Sequence, residues 1–155
     1  MTLKKQWERN VLAGAATVHD GQFLLLKRSQ RESFLPDTWG IPAGQVWRRE
    51  DPSDACKREL REETGLQGTV VGLIGYSTFV STRNSIELSN LQLNFLVKVK
   101  YHAVKLDPAS HSDSRWIELD DTNNDLLDAF TRDIMLAAGE HYKEIEARQR
   151  SAAYQ

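Results

Sequence analysis

A single cysteine in 155 residues, Cys56, excludes an internal disulfide and any zinc site built on several thiolates. A lone thiol suits a reducing compartment. An excess of one charge is missing as well: 20 Lys and Arg stand against 22 Asp and Glu, a formal net charge of −2. No global positive field therefore argues for a duplex nucleic acid or an anionic membrane, and LKR and RQR are too short to be nucleic-acid patches. No window approaches the roughly 20 apolar residues that span a bilayer. The N-terminal run MTLKKQWERN is polar and lacks the apolar core of a signal peptide. A soluble cytoplasmic protein without a membrane partner is expected. Repeats, low-complexity tracts and linkers are also absent, so residues 1–155 are expected to form one domain, long enough to bury a core.

The apolar runs VLAGAATV and FLLLK flank His19-Asp20-Gly21-Gln22, a hairpin signal because Asp and Gly tolerate the positive φ of a tight turn. Residues 28–38 read as a polar loop punctuated by Pro36, and Trp39–Ala43 as a short strand ending at Gly44. Asp51-Pro52 opens the clearest helix, with proline in the first turn and Gly65 as its stop. Residues 68–82 and 86–104 read as two long strand-rich stretches, LQLNFLVKV alternating well in the second, and Ser114–Leu119 as a last strand. From Asp125 onward Leu126, Leu127, Phe130, Ile134, Ala137 and Ala138 recur at helical spacing, a core-packing stripe that predicts a C-terminal helix over about 123–149 with a frayed end at RQRSAAYQ. The order of elements implies helices packed on a mixed sheet.

The chemistry concentrates in residues 44–66. Glu59, Glu62 and Glu63 stand at i, i+3 and i+4, so a helix stacks them on one face. Like charges at that spacing repel by a few tenths of a kcal/mol per pair. A solvated acidic face is one reading of the trio. The other is a site for a hard divalent cation, since carboxylate oxygens are what magnesium prefers. Glu50, just ahead of the helix, can fold back toward the same place.

With Gly44, Glu50, Arg58, Glu59, Leu60, Glu62, Glu63, Gly65 and Leu66 at the spacing Gly-x5-Glu-x7-Arg-Glu-apolar-x-Glu-Glu-x-Gly-apolar, the segment resembles the Nudix hydrolase signature at every defined position. Chance would give such a match on the order of once in a billion starting points at average residue usage. The resemblance implies an α/β/α sandwich around a mixed sheet and hydrolysis of a diphosphate linkage in a nucleoside diphosphate derivative. It implies Mg²⁺ as cofactor, with Mn²⁺ able to substitute. Glu59, Glu62 and Glu63 would be catalytic metal ligands, Arg58 would orient the catalytic loop by pairing with a carboxylate such as Glu50, and Gly44 would offer its carbonyl to metal or substrate or let the loop turn tightly. Members of the family are often homodimers, although nothing in these residues shows a self-complementary surface.

Several positions depart from the family pattern. Ala43-Gly44 stands where many relatives have Gly-Gly, Trp47 where many have a further glutamate, and Arg48-Arg49 where many have Pro-Gly. Ser110 occupies the place of a common glutamate, six residues before Trp116, with His111 and Asp113 as neighbours able to substitute. Lys27, Arg28 and Arg31 either meet phosphates or form a solvated edge, and Trp39 and Phe34 either sandwich a base or belong to the core. Cys56, inside the helix, reads as a small apolar packing residue. His19, His102 and His141 read as exposed. Markers of the ADP-ribose, dinucleoside polyphosphate and NADH enzymes are missing, which leaves a nucleoside triphosphate or a related small nucleotide as the expected substrate. The competing reading is a non-catalytic module of the same fold that senses a nucleotide or binds a partner. Such modules lose the glutamates that this chain keeps. An isomerase on this scaffold would need a catalytic cysteine outside the helix.

Overall fold

The computed structural model describes residues 8–154. The run Met1–Trp7, part of the polar N-terminus discussed above, lies outside them. The chain order is β1 (Glu8–His19), β2 (Gln22–Arg28), β3 (Trp39–Gly40), β4 (Ala43–Gln45), α1 (Pro52–Thr64), β5 (Gly68–Arg83), β6 (Ile86–Val99), β7 (His111–Glu118) and α2 (Ala129–Ala153).

The expected hairpin forms with Asp20 and Gly21 at positive φ, but β1 and β2 pair only beside the turn, through Val18↔Phe23 and His19↔Gln22. Beyond it the two strands part. β1 runs parallel to β6 from Glu8 to Val18, β2 takes β7 as antiparallel partner, and short β3 and β4 add to β2 and β1. The long antiparallel pair β5–β6 closes through Asn84-Ser85, both at positive φ as a two-residue hairpin turn demands. The sheet is thus mixed, in the order β3-β2-β1-β6-β5 with β4 and β7 off that path.

Strand alternation divides the core in two. Ala13, Ala15, Leu24, Leu26, Phe95, Val97 and Val99 pack against Ala55, Cys56 and Leu60 of α1. Their neighbours Ala16, Val18, Phe23, Leu25 and Leu96 point the other way, against Ile134, Met135 and Ala138 of α2. One helix on each face of a mixed sheet is the expected α/β/α sandwich. No described helix is long and apolar enough to cross a membrane.

Local chemistry sets the ends of α1. Asp51, in extended conformation, accepts from the Ser53 N–H, Pro52 fills the first turn, and Gly65 ends the helix at φ 73° with its N–H on the Arg61 carbonyl. The expected strand at Trp39–Ala43 is split by Ile41-Pro42, because Pro42 has no N–H for the ladder; its carbonyl instead accepts from the Ala15 N–H. The second long strand stops at Val99 rather than 104, and the last strand begins earlier than expected, at His111. The C-terminal helix starts late, at Ala129, since turns through Asn124 place Leu126 and Leu127 before Asp128 caps the Thr131 N–H. It continues to Ala153, past the expected end near 149. His19, expected exposed, is tucked against the Val99 carbonyl at 2.9 Å and stacked on His102.

Two leucines test this layering. Leu60 is fully buried between α1 and the sheet, whereas Leu136 on α2 is 44% exposed. In denaturant titrations Leu60→Ala should cost about 3 kcal/mol, and Leu136→Ala less than about 0.5 kcal/mol.

Candidate functional site

The turn between β4 and α1 brings Glu50 back over the helix, as its position before the helix suggested. Glu50 Oε1 accepts from the Trp47 N–H at 3.0 Å, and Arg49 takes φ 65° to close the turn. Arg58 then fastens turn and helix together. Its Nε and Nη2 donate to the two oxygens of Glu50 at 2.8 and 2.9 Å, and Nη2 also donates to the Gln45 carbonyl at 2.8 Å. Nη1 donates to Glu59 at 2.7 Å and to Glu62 at 3.2 Å. The Trp47 ring lies over the guanidinium, 3.6 Å from its carbon. Trp47, which replaces a further glutamate, is thus a lid on Arg58. This net holds the Glu50 carboxyl below its usual range, chiefly through the Arg58 hydrogen bonds, and raises the Arg58 pKa further.

Glu59, Glu62 and Glu63 share the helix face the spacing predicts but do not share one environment. Glu62 is half exposed. Glu59 is only 14% exposed at its side chain and lies against Gly44, where any Cβ would fall inside its carboxylate. Gly44 is therefore needed for close approach. Glu63 turns inward and accepts from the Ala43 N–H at 3.3 Å. Burial pushes the carboxyl of Glu63 well above the usual range, and the neighbouring Glu59 adds to this. Glu59 is raised as well, by burial, against the pull of Arg58.

The repulsion read from the spacing is relieved in part by Arg58, whose Nη1 bridges Glu59 and Glu62. Among the described residues no three His, Cys, Asp or Glu side chains converge on a common ion position. The donors nevertheless suit a hard cation. Glu59 and Glu63 are oxygen ligands crowded together in a poorly solvated place, and Arg58 touches only one of the two.

A cavity of about 720 Å³ opens beside these carboxylates, lined near them by Ala43 and Gly44 and farther away by Phe34, Phe79 and Phe130. Arg28 and Trp39 also line it. Arg28 is occupied in holding the loop after β2, with Nε on the Phe34 carbonyl at 2.8 Å and Nη2 on Glu32 at 3.2 Å. Trp39 packs against the α2-side core with Arg115 over its ring. His111, 5% exposed, lines the cavity with Nδ1 3.0 Å from the Ser110 hydroxyl. Burial and the nearby Arg28 lower its pKa to about 4, so its imidazole is neutral at physiological pH. Cys56 is buried with its thiol toward the Gly14 carbonyl, and desolvation pushes it up to about 12, which fits packing and not nucleophilic chemistry. The polar floor of the cavity, Asn90 and Gln92 on β6, escaped the sequence reading; its only signal was the polar half of an alternating strand.

Comparison with known proteins agrees with this geometry. The NUDIX domain family model matches residues 8–138. The MutT protein of Methanosarcina mazei superposes with a TM-score of 0.76 at 25% identity, covering 89% of this chain and 98% of that one. A MutT NUDIX hydrolase from Burkholderia pseudomallei gives 0.69 at 27% identity over 84% of this chain and 98% of its own. The NUDIX domain of Shewanella oneidensis NrtR, solved with ADP ribose, gives 0.66 at 23% identity over 89% and 90%. With its box complete and held in a defined turn-helix arrangement, the chain belongs to the NUDIX family.

Proposed function

We propose that the chain hydrolyses a diphosphate linkage in a nucleoside triphosphate or related nucleotide, with Mg²⁺ as cofactor and Mn²⁺ able to replace it. The observation that carries this reading is the crowded, poorly solvated pair Glu59 and Glu63 against Ala43 and Gly44, which themselves line a cavity of about 720 Å³. Glu59, Glu62 and Glu63, with the Gly44 carbonyl, would hold the cation. When bound, a divalent ion neutralises diphosphate charge and lowers the pKa of an attacking water. The chain's own task is positioning, as in phosphoryl transfer generally. Arg58 keeps Glu50, Glu59 and the 45–50 turn in register. The cavity encloses the organic part of the substrate, with Trp39 on its wall and Arg28 placed where it can face phosphate as well as hold the loop. The buried lone thiol is consistent with a cytoplasmic setting.

The direct test is a panel of nucleotides with Mg²⁺, read as release of phosphate or pyrophosphate. Glu62→Gln and Glu63→Gln should each lower kcat at least about a hundredfold with the fold intact by circular dichroism. Wild-type inactivity across the whole panel would remove the proposal. The optimum should lie on the alkaline side of neutrality, because both the water and Glu63 must lose protons.

Arg58→Lys keeps the charge but cannot grip both oxygens of Glu50 while reaching Glu59, Glu62 and the Gln45 carbonyl. It should reduce kcat by roughly tenfold to a hundredfold with a smaller change in KM. Near-wild-type turnover would show that the turn holds its place without the fork.

Stability should report the buried carboxyl separately. The folded-state pKa of Glu63 lies above its unfolded value, so its contribution is fully present below the unfolded carboxylate pKa and is lost as pH rises through the folded one. In EDTA, melting temperature should therefore drop on this account between mildly acidic and neutral pH, and Glu63→Gln should lessen the drop. At neutral pH Mg²⁺ should raise the wild-type melting temperature and barely move that of Glu63→Gln. Equal Mg²⁺ shifts in the two proteins would count against Glu63 as a ligand.

A further inference from the structure

On the sheet face turned away from α1, β6 places Asn90, Gln92 and Asn94 at period two, each no more than 4% exposed. Three consecutive inward carboxamides on a central strand are costly unless their hydrogen bonds are met. Asn90 is fully engaged: its amide donates to the Ser81 hydroxyl at 2.9 Å and to the carbonyls of Phe79 and Leu88 at 3.2 and 3.3 Å, and its oxygen accepts from Asn10 at 3.4 Å. Asn94 donates to the Ser77 hydroxyl at 2.9 Å and accepts from Gln92 Nε2 at 2.8 Å. Gln92 Oε1 remains. It accepts from no described residue, and no described side-chain polar atom is both buried and unpaired, so this oxygen opens onto the cavity that Gln92 lines.

Its direction is held from behind. The bond to Asn94 takes one of the two Gln92 N–H donors and sets the plane of the amide, leaving the oxygen on the branch away from Asn94. Gly14 on β1 makes room for the clamp, since a Cβ there would sit 2.8 Å from Gln92 Nε2 and 2.7 Å from Asn94 Oδ1. The same cavity has an aromatic wall: Phe34 and Phe79 lie nearly parallel with centroids 5.7 Å apart, and Phe130 meets Phe79 edge-on at 5.7 Å. A flat ring can rest on such a wall while its edge meets Gln92.

We infer that Gln92 is a specificity-determining residue that reads the substrate's base, its Oε1 accepting from an exocyclic amino group. The cavity then prefers adenine to hypoxanthine and cytosine to uracil. A carbonyl in place of the amino group would set two acceptors against each other at this position, with no proton between them. The inference rests on the proposed nucleotide substrate for the identity of the ligand.

Binding in EDTA, where turnover is suppressed, separates the two ideas. Calorimetry with ADP against IDP and CDP against UDP should give about tenfold tighter binding for the amino member of each pair. Gln92→Met should level each pair, with affinity for tripolyphosphate unchanged. Equal affinities in the wild-type protein, no binding of any of the four, or a preference that survives Gln92→Met would each overturn the inference. The wild-type comparison decides even if the variant does not fold. Base preference without hydrolysis on the Mg²⁺ panel would sink the hydrolase reading alone, and hydrolysis without base preference would sink this one alone.

Discussion

The Arg58 guanidinium is the constraint on which the rest of the site depends. A guanidinium carries five N–H donors in a rigid plane, and here Glu50 takes two, with one each for Glu59, Glu62 and the Gln45 carbonyl. The fork joins three pieces of chain: the end of β4, the turn at Trp47–Glu50, and the middle of α1. A lysine could neutralise the same charge but could not fix three directions at once. The face above the plane belongs to Trp47, which shields these bonds from water and so strengthens them.

The cavity follows from a mismatch between helix and sheet. β6 is a two-faced strand, with Phe95, Val97 and Val99 toward α1 and Leu96 toward α2. α2 begins at Ala129 and covers the Leu96 end of its face, where the core is apolar. Toward Leu88 α2 reaches the cavity only with its first turn, at Phe130 and Thr131, and the inward positions become Asn90 and Gln92, on the floor of the cavity. The same alternation thus yields hydrophobic core at one end of a strand and a polar recognition surface at the other. Apolar residues there would have made a simpler core, so the carboxamides are tied into a network instead of being left to solvent.

What was legible in the sequence was local. Asp51-Pro52 and Gly65 bounded α1 because capping depends on neighbours a few residues away, and Asp20-Gly21 announced its turn for the same reason. The nine positions of the box led to the family and, through it, to the sandwich. The parallel pairing of β1 with β6 was not legible, since Asn10 and Asn90 meet across 80 residues with no local signal. Nor was the cavity floor. In LQLNFLVKV alternation indicates a strand but not which half faces inward, and tertiary packing put Gln92 and Asn94 inside while leaving Leu91 38% exposed. Helical spacing from Asp125 likewise missed that Asn124 turns the chain before the helix begins, because a turn residue can interrupt a periodic stripe without breaking it.

The charge balance explains why Arg58 does not satisfy the site by itself. One guanidinium is set against the carboxyls of Glu50, Glu59, Glu62 and Glu63, so the ensemble stays negative when all are ionised. Arg58 contacts the first three, whereas Glu63 accepts from the Ala43 N–H, is repelled by Glu59 and Glu62, and feels Arg28 only as a weaker, more distant pull. The unmet charge therefore gathers at Glu63, on the side toward Ala43 and the cavity. Geometry divides the work: the fork secures the carboxylates that shape the turn, and the carboxylate it leaves uncompensated is the one a divalent cation gains most by meeting. Arg28 eases this charge from a distance without a hydrogen bond to it; a guanidinium bonded directly to Glu63 would quiet the repulsion more fully, and would thereby remove the reason for an ion to bind.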